Sequence, residues 1–110
     1  PLGSRSHQCA QAISWLKQNI ATAIPIEELA EKVTMAPSPF RRHFKEVTTL
    51  SPLQFQKRLR LHEAQRLMLM QDMDAGSAAF AVGYESPTQF NREYKRLFGE
   101  PPLRDVSRLR

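Results

Sequence analysis

Two stretches of this chain, fifty positions apart, carry the same kinds of side chain in the same order. Ser38-Pro39-Phe40-Arg41-Arg42-His43-Phe44-Lys45 lies over Thr88-Gln89-Phe90-Asn91-Arg92-Glu93-Tyr94-Lys95. Each holds two aromatic residues four apart, the spacing of one helix face. That places Phe40 with Phe44, and Phe90 with Tyr94, toward a core, and turns the cationic residues outward. The outward chemistry is that of recognition. Arginine or lysine can pair with guanine, asparagine or glutamine with adenine, and either cation with a phosphate. The four rings are read as core rather than as platforms for stacked bases.

Helices must position these residues, and the chain is punctuated for them. Ser6 to Ile20 puts Cys9, Ile13, Leu16 and Ile20 at helical spacing, with Ser6 as the expected cap and Trp15 off the stripe, sealing an edge or a second surface. Ile26 to Val33 is a short amphipathic helix with Glu27 and Glu28 at its positive end. A turn, Thr34-Met35-Ala36, leads to a helix from Pro37 to Val47. Farther on, Asp74 can cap a helix from Ala75 to Val82, which Gly83 ends in a left-handed conformation. Tyr84-Glu85-Ser86 turns the chain into a helix that starts at Pro87 and stops at Gly99. Pro101 and Pro102 open a last short helix, and the basic tail from Arg104 to Arg110 is expected to fray.

The repeat extends beyond the two octets. Pro37 lies over Pro87 and Pro52 over Pro102; upstream the offset is forty-nine, so that Val33 meets Val82 and Glu85 is one extra residue. Short helix, tight turn, proline-led helix: this is a helix-turn-helix, present twice. In such a unit the first helix braces the second, whose N-terminal part can enter a major groove about 12 Å wide.

Between the copies runs Pro52 to Met70, with no glycine and no internal proline, and with Ser51 available as cap. Phe55, Leu59, Ala64 and Leu67 fall near one face, and Lys57, Arg58, Arg60 and Arg66 make the rest positive. Arg60 and Glu63 are expected to pair with each other. A helix of this length is about 28 Å long. Successive major grooves on one DNA face are roughly 34 Å apart, so the rod comes close to that span and modest DNA bending would supply the rest.

Composition narrows the class. The 110 residues allow one small domain or two subdomains sharing helices, and eight prolines with few β-branched runs point to an all-α chain. Sixteen lysines and arginines against eleven acidic residues give +5, suited to nucleic acid or an anionic surface. No apolar stretch approaches the roughly 20 residues of a membrane span. The single cysteine, Cys9, excludes an internal disulfide and fits a reducing interior, where it reads as a buried small hydrophobe. His7, His43, His62 and Cys9 lack metal-site spacing, and neither a phosphate loop nor a nucleophile elbow occurs. No metal, cofactor or enzymatic activity is therefore expected. Pro1 to Ser4 reads as an expression-tag remnant, so the chain is expected to be a fragment.

The segment AVGYESPTQFNREYKRLFGEPP, Ala81 to Pro102, resembles the signature of the AraC/XylS family of bacterial transcription regulators around its second helix-turn-helix, and SPLQFQKRLRLHEAQRLM, Ser51 to Met68, resembles that family's linker helix. The similarity covers about Ser6 to Val106. It implies seven helices in two helix-turn-helix subdomains, here residues 5–51 and 71–110, joined by the linker helix 52–70. It also implies sequence-specific binding of double-stranded DNA in the cytoplasm, at the nucleoid, by a regulator such as an activator. An N-terminal sensor or dimerisation domain is expected in the whole protein, and RNA polymerase is a partner of family activators.

Carried over by position, the base-facing sites of the family fall on Ser38, Arg41 and Arg42 in the first copy. In the second they fall on Thr88, Asn91 and Arg92, with Gln89 nearby. Lys45, Lys95 and Arg96 are placed for phosphates, and His43 for a phosphate or plain exposure. Arg42 and Arg92 are open to a second duty, a salt bridge to a neighbouring helix, and Asn91 to simple solvation. The first copy departs from the pattern: Ala36 stands where a capping serine is usual, Thr34 replaces the turn glycine, and Pro39 sits in the first helical turn. The competing reading is a basic helical module docking an acidic protein partner such as RNA polymerase. It accounts for the charge but not for the arginine and lysine kept at matched helical positions.

Overall fold

Hydroxyl, carboxylate and proline residues set where each helix starts. A computed structural model describes residues 4–110; the rest of the expected tag remnant, residues 1–3, lies outside them. Among the described residues the chain is all-α: α1 (Arg5–Gln18), α2 (Ile26–Lys32), α3 (Pro37–Thr48), α4 (Pro52–Met70), α5 (Ala75–Ala81), α6 (Pro87–Phe98) and α7 (Pro102–Leu109). Ser4, not Ser6, caps α1: its Oγ accepts from the His7 amide at 3.1 Å. The helix begins one residue before Ser6, so only Ser4 stands where a hydroxyl reaches a free first-turn amide. Ser51 and Gln54 form a reciprocal capping box at α4, with bonds of 3.2 and 3.0 Å. Asp74 accepts from the Ser77 amide at 2.7 Å, as its position suggested.

Two compact units divide inside α4, Pro1–Lys57 and Arg58–Arg110. In the first, α1 buries Cys9, Ala12 and Leu16, α2 buries Leu29 and Ala30, and α3 buries Phe40 and Phe44. The start of α4 adds the ring of Phe55, perpendicular to that of Phe44 with ring centres 5.4 Å apart, and buried Gln56, whose amide donates to the Thr22 carbonyl at 2.8 Å. Burial pushes the Cys9 thiol above its ordinary range, which fits the inert hydrophobe read from sequence. Trp15 is half-buried at an edge, with the Lys32 ammonium 5.0 Å from its ring centre.

The second unit packs Leu61, Ala64 and Met68 of α4 with Ala78 and Ala79 of α5, Val82 and Tyr84 of the turn, Phe90 and Tyr94 of α6, and Val106 of α7. Three expectations are corrected here. The buried residues of α4 are Pro52, Gln56, Leu61, Ala64 and Met68, while Phe55, Leu59 and Leu67 are only half-buried. The cause is that the two ends of one helix serve two different cores, which blurs any single stripe. Glu63 pairs with Arg66, not Arg60, through bonds of 2.6 and 2.9 Å. Arg66 lies one turn onward, whereas Arg60 is drawn into the field of Tyr84 and Glu93.

The third correction is the tail. It is helical rather than frayed because Asp105, fully buried, gathers Tyr94 Oη at 2.6 Å, Gln65 Nε2 at 2.8 Å and an Arg108 guanidinium nitrogen at 2.7 Å. At the chain's end, Arg110 donates to the Met68 carbonyl at 2.9 Å and to Asp72 at 2.7 Å.

The repeat now extends to whole units. Cys9, Ala12 and Leu16 recur as Leu61, Ala64 and Met68 at the same spacing, and buried Pro52 recurs as buried Pro102. The Phe44–Phe55 ring contact recurs, fifty residues on, as the Tyr94–Asp105 hydrogen bond.

Burial alone would raise the carboxyl of Asp105, yet its hydrogen bonds from Tyr94, Gln65 and Arg108 leave it below the ordinary carboxylate range. A carboxyl lowered in the folded state stabilises above its unfolded pKa, about 3.9, and that contribution is lost as pH falls through the lower folded value. Replacing Asp105 with Asn should therefore destabilise the protein by about 1–3 kcal/mol at pH 7. The penalty should shrink toward pH 3. Urea unfolding of both proteins across that range measures it; an equal penalty at every pH would rule out the buried charge as its source.

Candidate nucleic-acid interface

The two proline-led helices are held by turns that share their backbone bonds. The Met35 amide donates to Ala30 O and the Tyr84 amide to Ala79 O, each at 3.0 Å; Thr34 donates to Glu31 O at 3.0 Å and Gly83 to Phe80 O at 3.1 Å. These close the ends of α2 and α5 in the same way, with a left-handed residue at each turn. Gly83 takes that conformation at φ 99° without a Cβ penalty, but Thr34 takes it at φ 59° as a β-branched residue. A long-range bond compensates: Gln8 on α1 donates to Val33 O at 2.8 Å and to Thr34 Oγ1 at 3.3 Å. Ala30 and Ala79 are both buried, small enough to let each brace helix approach its partner.

With Phe40 and Phe44 inward, Ser38, Arg41, Arg42 and Lys45 are exposed at positions i, i+3, i+4 and i+7 of α3. With Phe90 and Tyr94 inward, Thr88, Asn91, Arg92 and Lys95 are exposed at the same register of α6, with Arg96 beside them. Arg42, Lys45, Asn91, Arg92, Lys95 and Arg96 make no side-chain hydrogen bond or ion pair among the described residues. For Arg42 and Arg92 this removes the alternative of a bridge to a neighbouring helix. Arg41 lies 3.7 Å from Glu27, an exposed pair of the kind worth little. Each stripe is thus a set of cations and hydrogen-bond donors standing clear of its unit.

His43 does not stand with them. Its side chain is only 17% exposed, its Nδ1 lies 3.6 Å from Glu46, and its Nε2 is buried without a partner. A phosphate could not reach that nitrogen, so the expected phosphate role is withdrawn. The reason is register: position 43 falls one residue before Phe44, on the flank that turns toward the core. At the matching position, Glu93 accepts from Tyr84 Oη at 2.7 Å and from Gln89 Nε2 at 2.8 Å. Burial, and then the bond to Glu93, push the Tyr84 phenol well above its ordinary value. The Arg60 guanidinium is lowered by burial and held up by Tyr84 and Glu93. Gln89 is therefore half-buried and tied, where the sequence placed it simply among base-facing residues. The sequence signal for this cluster was the i, i+4 pair Gln89 and Glu93; Tyr84 and Arg60 join it only through the fold.

Ser86 caps α6, its Oγ accepting from the Gln89 amide at 3.2 Å, whereas Ala36 at the start of α3 offers no side-chain cap. Pro37 and Pro39 fit there because first-turn amides lack intrahelical acceptors.

A family model described as a helix-turn-helix domain matches residues 29–107. A protein described as a probable AraC family transcriptional regulator from Rhodopseudomonas palustris is 27% identical, with a TM-score of 0.82 over 94% of this chain and 97% of that one. The DNA-binding domain of AdpA, solved in complex with a target DNA, is 26% identical, with a TM-score of 0.84 over 91% and 90%. The HTH-type transcriptional activator RhaS of Escherichia fergusonii is 30% identical over 90 residues, 82% of this chain and 32% of that protein. This chain belongs to the AraC-type helix-turn-helix family. It spans about a third of the length of the curated relatives it matches.

Restoring the missing cap should stabilise α3. Ala36→Ser is expected to add about 1 kcal/mol to the unfolding free energy, read as a raised urea midpoint with an unchanged slope. No gain would mean that the α3 amides are already satisfied in another way.

Proposed function

We propose that this chain is the DNA-reading part of a bacterial transcription regulator, and that each of its two helix-turn-helix units places an outward stripe in a major groove. The observation that carries this reading is the matched pair of stripes. Ser38, Arg41 and Arg42 on α3, and Thr88, Gln89, Asn91 and Arg92 on α6, are the base-facing residues. Lys45, Lys95 and Arg96 hold phosphates. The α4 helix, 19 residues and about 28 Å long, connects the two units.

For the whole protein, we propose a further sensing or dimerising domain, since the chain covers about a third of its curated relatives. The RhaS relatives, named as activators, favour activation, with RNA polymerase as second partner. Exposed Phe80 and Leu103 are apolar surface open to such a protein contact. This activity belongs at the nucleoid in the cytoplasm.

Selection from a random double-stranded DNA pool at about 150 mM salt tests the reading, because that salt suppresses non-specific attraction. Two informative patches about one helical turn apart are expected. One patch would leave a single reader, and no enrichment would move the protein-docking reading to the front. On the selected site, Arg92→Ala should cost about 1–3 kcal/mol and relax preference at one base step. A uniform loss across sequences would reassign Arg92 to phosphate.

A further inference from the structure

Among the outward residues of α6, Gln89 differs in having its orientation fixed from within the protein. A carboxylate can only accept hydrogen bonds, so the group 2.8 Å from Glu93 Oε2 must be the amide nitrogen of Gln89, and its Oε1 must face away. Glu93 is itself held: its other oxygen accepts from Tyr84 Oη at 2.7 Å, and Arg60 lies within its field. Tyr84 is anchored in turn, 7% exposed and with its ring 5.3 Å from that of Phe90 in an edge-on contact. The Gln89 backbone is fixed as well, since its amide donates to the Ser86 cap. An unrestrained glutamine can turn its amide either way and so match either an acceptor or a donor on a base edge. This one cannot turn without setting its carbonyl oxygen against a carboxylate.

We infer that Glu93 is a positioning residue for base selection: by holding one amide hydrogen of Gln89 it directs the carbonyl oxygen away from itself, so that Gln89 favours a base whose major-groove edge carries an exocyclic amino group. On the contacted strand those bases are adenine, through N6, and cytosine, through N4; guanine and thymine present a keto oxygen there. This rests on the proposal that α6 reads a major groove, and it adds the sign of one contact. The first reader has no such clamp, since Pro39 and His43 occupy the corresponding positions. The amino-group rule therefore applies to the second patch alone.

The test uses the selected site with one base pair at a time changed in the patch assigned to α6, measured by competition binding. The wild-type protein should prefer adenine or cytosine over guanine or thymine at one position by about fivefold or more. Glu93→Gln keeps the shape of the clamp but replaces a pure acceptor with a group that can also donate, so Gln89 is released to turn. That variant should lower the preference to within about twofold while it still melts cooperatively and binds random DNA at least as tightly as wild type, since the neutralised carboxylate adds one net positive charge. Gln89→Ala should abolish the same preference, and adding Glu93→Gln to it should change nothing further, the mark of two residues acting through one contact. An undiminished preference in Glu93→Gln would overturn the clamp, as would a preference for guanine or thymine. A loss that persists in the double variant as an additive effect would make Glu93 merely structural and overturn it too. Absence of any motif for the wild-type protein would instead bring down the DNA-reading proposal itself, which separates the two failures.

Discussion

Each helix-turn-helix unit depends on two aromatic rings four residues apart sinking into its own small core. Phe40 and Phe44 in α3 have ring centres 5.6 Å apart, and so do Phe90 and Tyr94 in α6; all four are at most 1% exposed. Removing such a ring costs about 3–5 kcal/mol, a large share of what a unit of some fifty residues can hold in reserve. The anchor also determines what the helix shows. Once positions 40 and 44 face the core, positions 38, 41, 42 and 45 have nowhere to go but out, and the same holds for 88, 91, 92 and 95. Packing energy and the orientation of polar side chains are thus one constraint seen from two sides.

The units meet that constraint with different chemistry at the same place. Behind Phe44 stands the edge of Phe55; behind Tyr94 stands the carboxylate of Asp105. The apolar solution is indifferent to pH and tolerant of small shifts. The polar one is directional: Asp105 is buried completely, and losing any of its three donors would leave part of a desolvated charge unmatched. It draws Gln65 of α4, Tyr94 of α6 and Arg108 of α7 to a single pair of oxygens. That convergence orders a C-terminal helix of only eight residues, which local propensity alone would not sustain.

Much of this is legible in the sequence. Proline at the first helical position, serine or aspartate before it, glycine after it and aromatics at i, i+4 are local signals, and the elements they imply are all present. What escaped the sequence was decided by tertiary partners. An aspartate in a basic tail reads as solvated until Tyr94 and Gln65 are seen to face it. The inward residues of α4 are obscured because its two ends answer to different cores, so neither periodicity runs long enough to stand out. His43 was expected on the outward part of α3, but position 43 belongs to the flank that turns in. The Gln89–Glu93 pair was visible as a spacing, yet only the buried Tyr84 phenol turns that spacing into a fixed orientation.

The two units also differ in where their order comes from. Around α6, local choices agree with the fold: Gly83 and Gly99 occupy left-handed positions at φ 99° and 88°, and Ser86 caps the helix. In the first, the equivalent places hold Thr34 at 59°, Thr49 at 68°, and Ala36 without a cap. Each left-handed threonine works against its own backbone by about 1–2 kcal/mol. At Thr34 the first unit offsets this with bonds from elsewhere in the chain, Gln8 to Val33 O and to Thr34 Oγ1. A helix capped by its own flanking residues keeps its start while the rest of the unit fluctuates. A turn held by a side chain from another helix is only as ordered as that helix. The turn before α3 is therefore coupled to α1, whereas the turn before α6 is closed by its own residues.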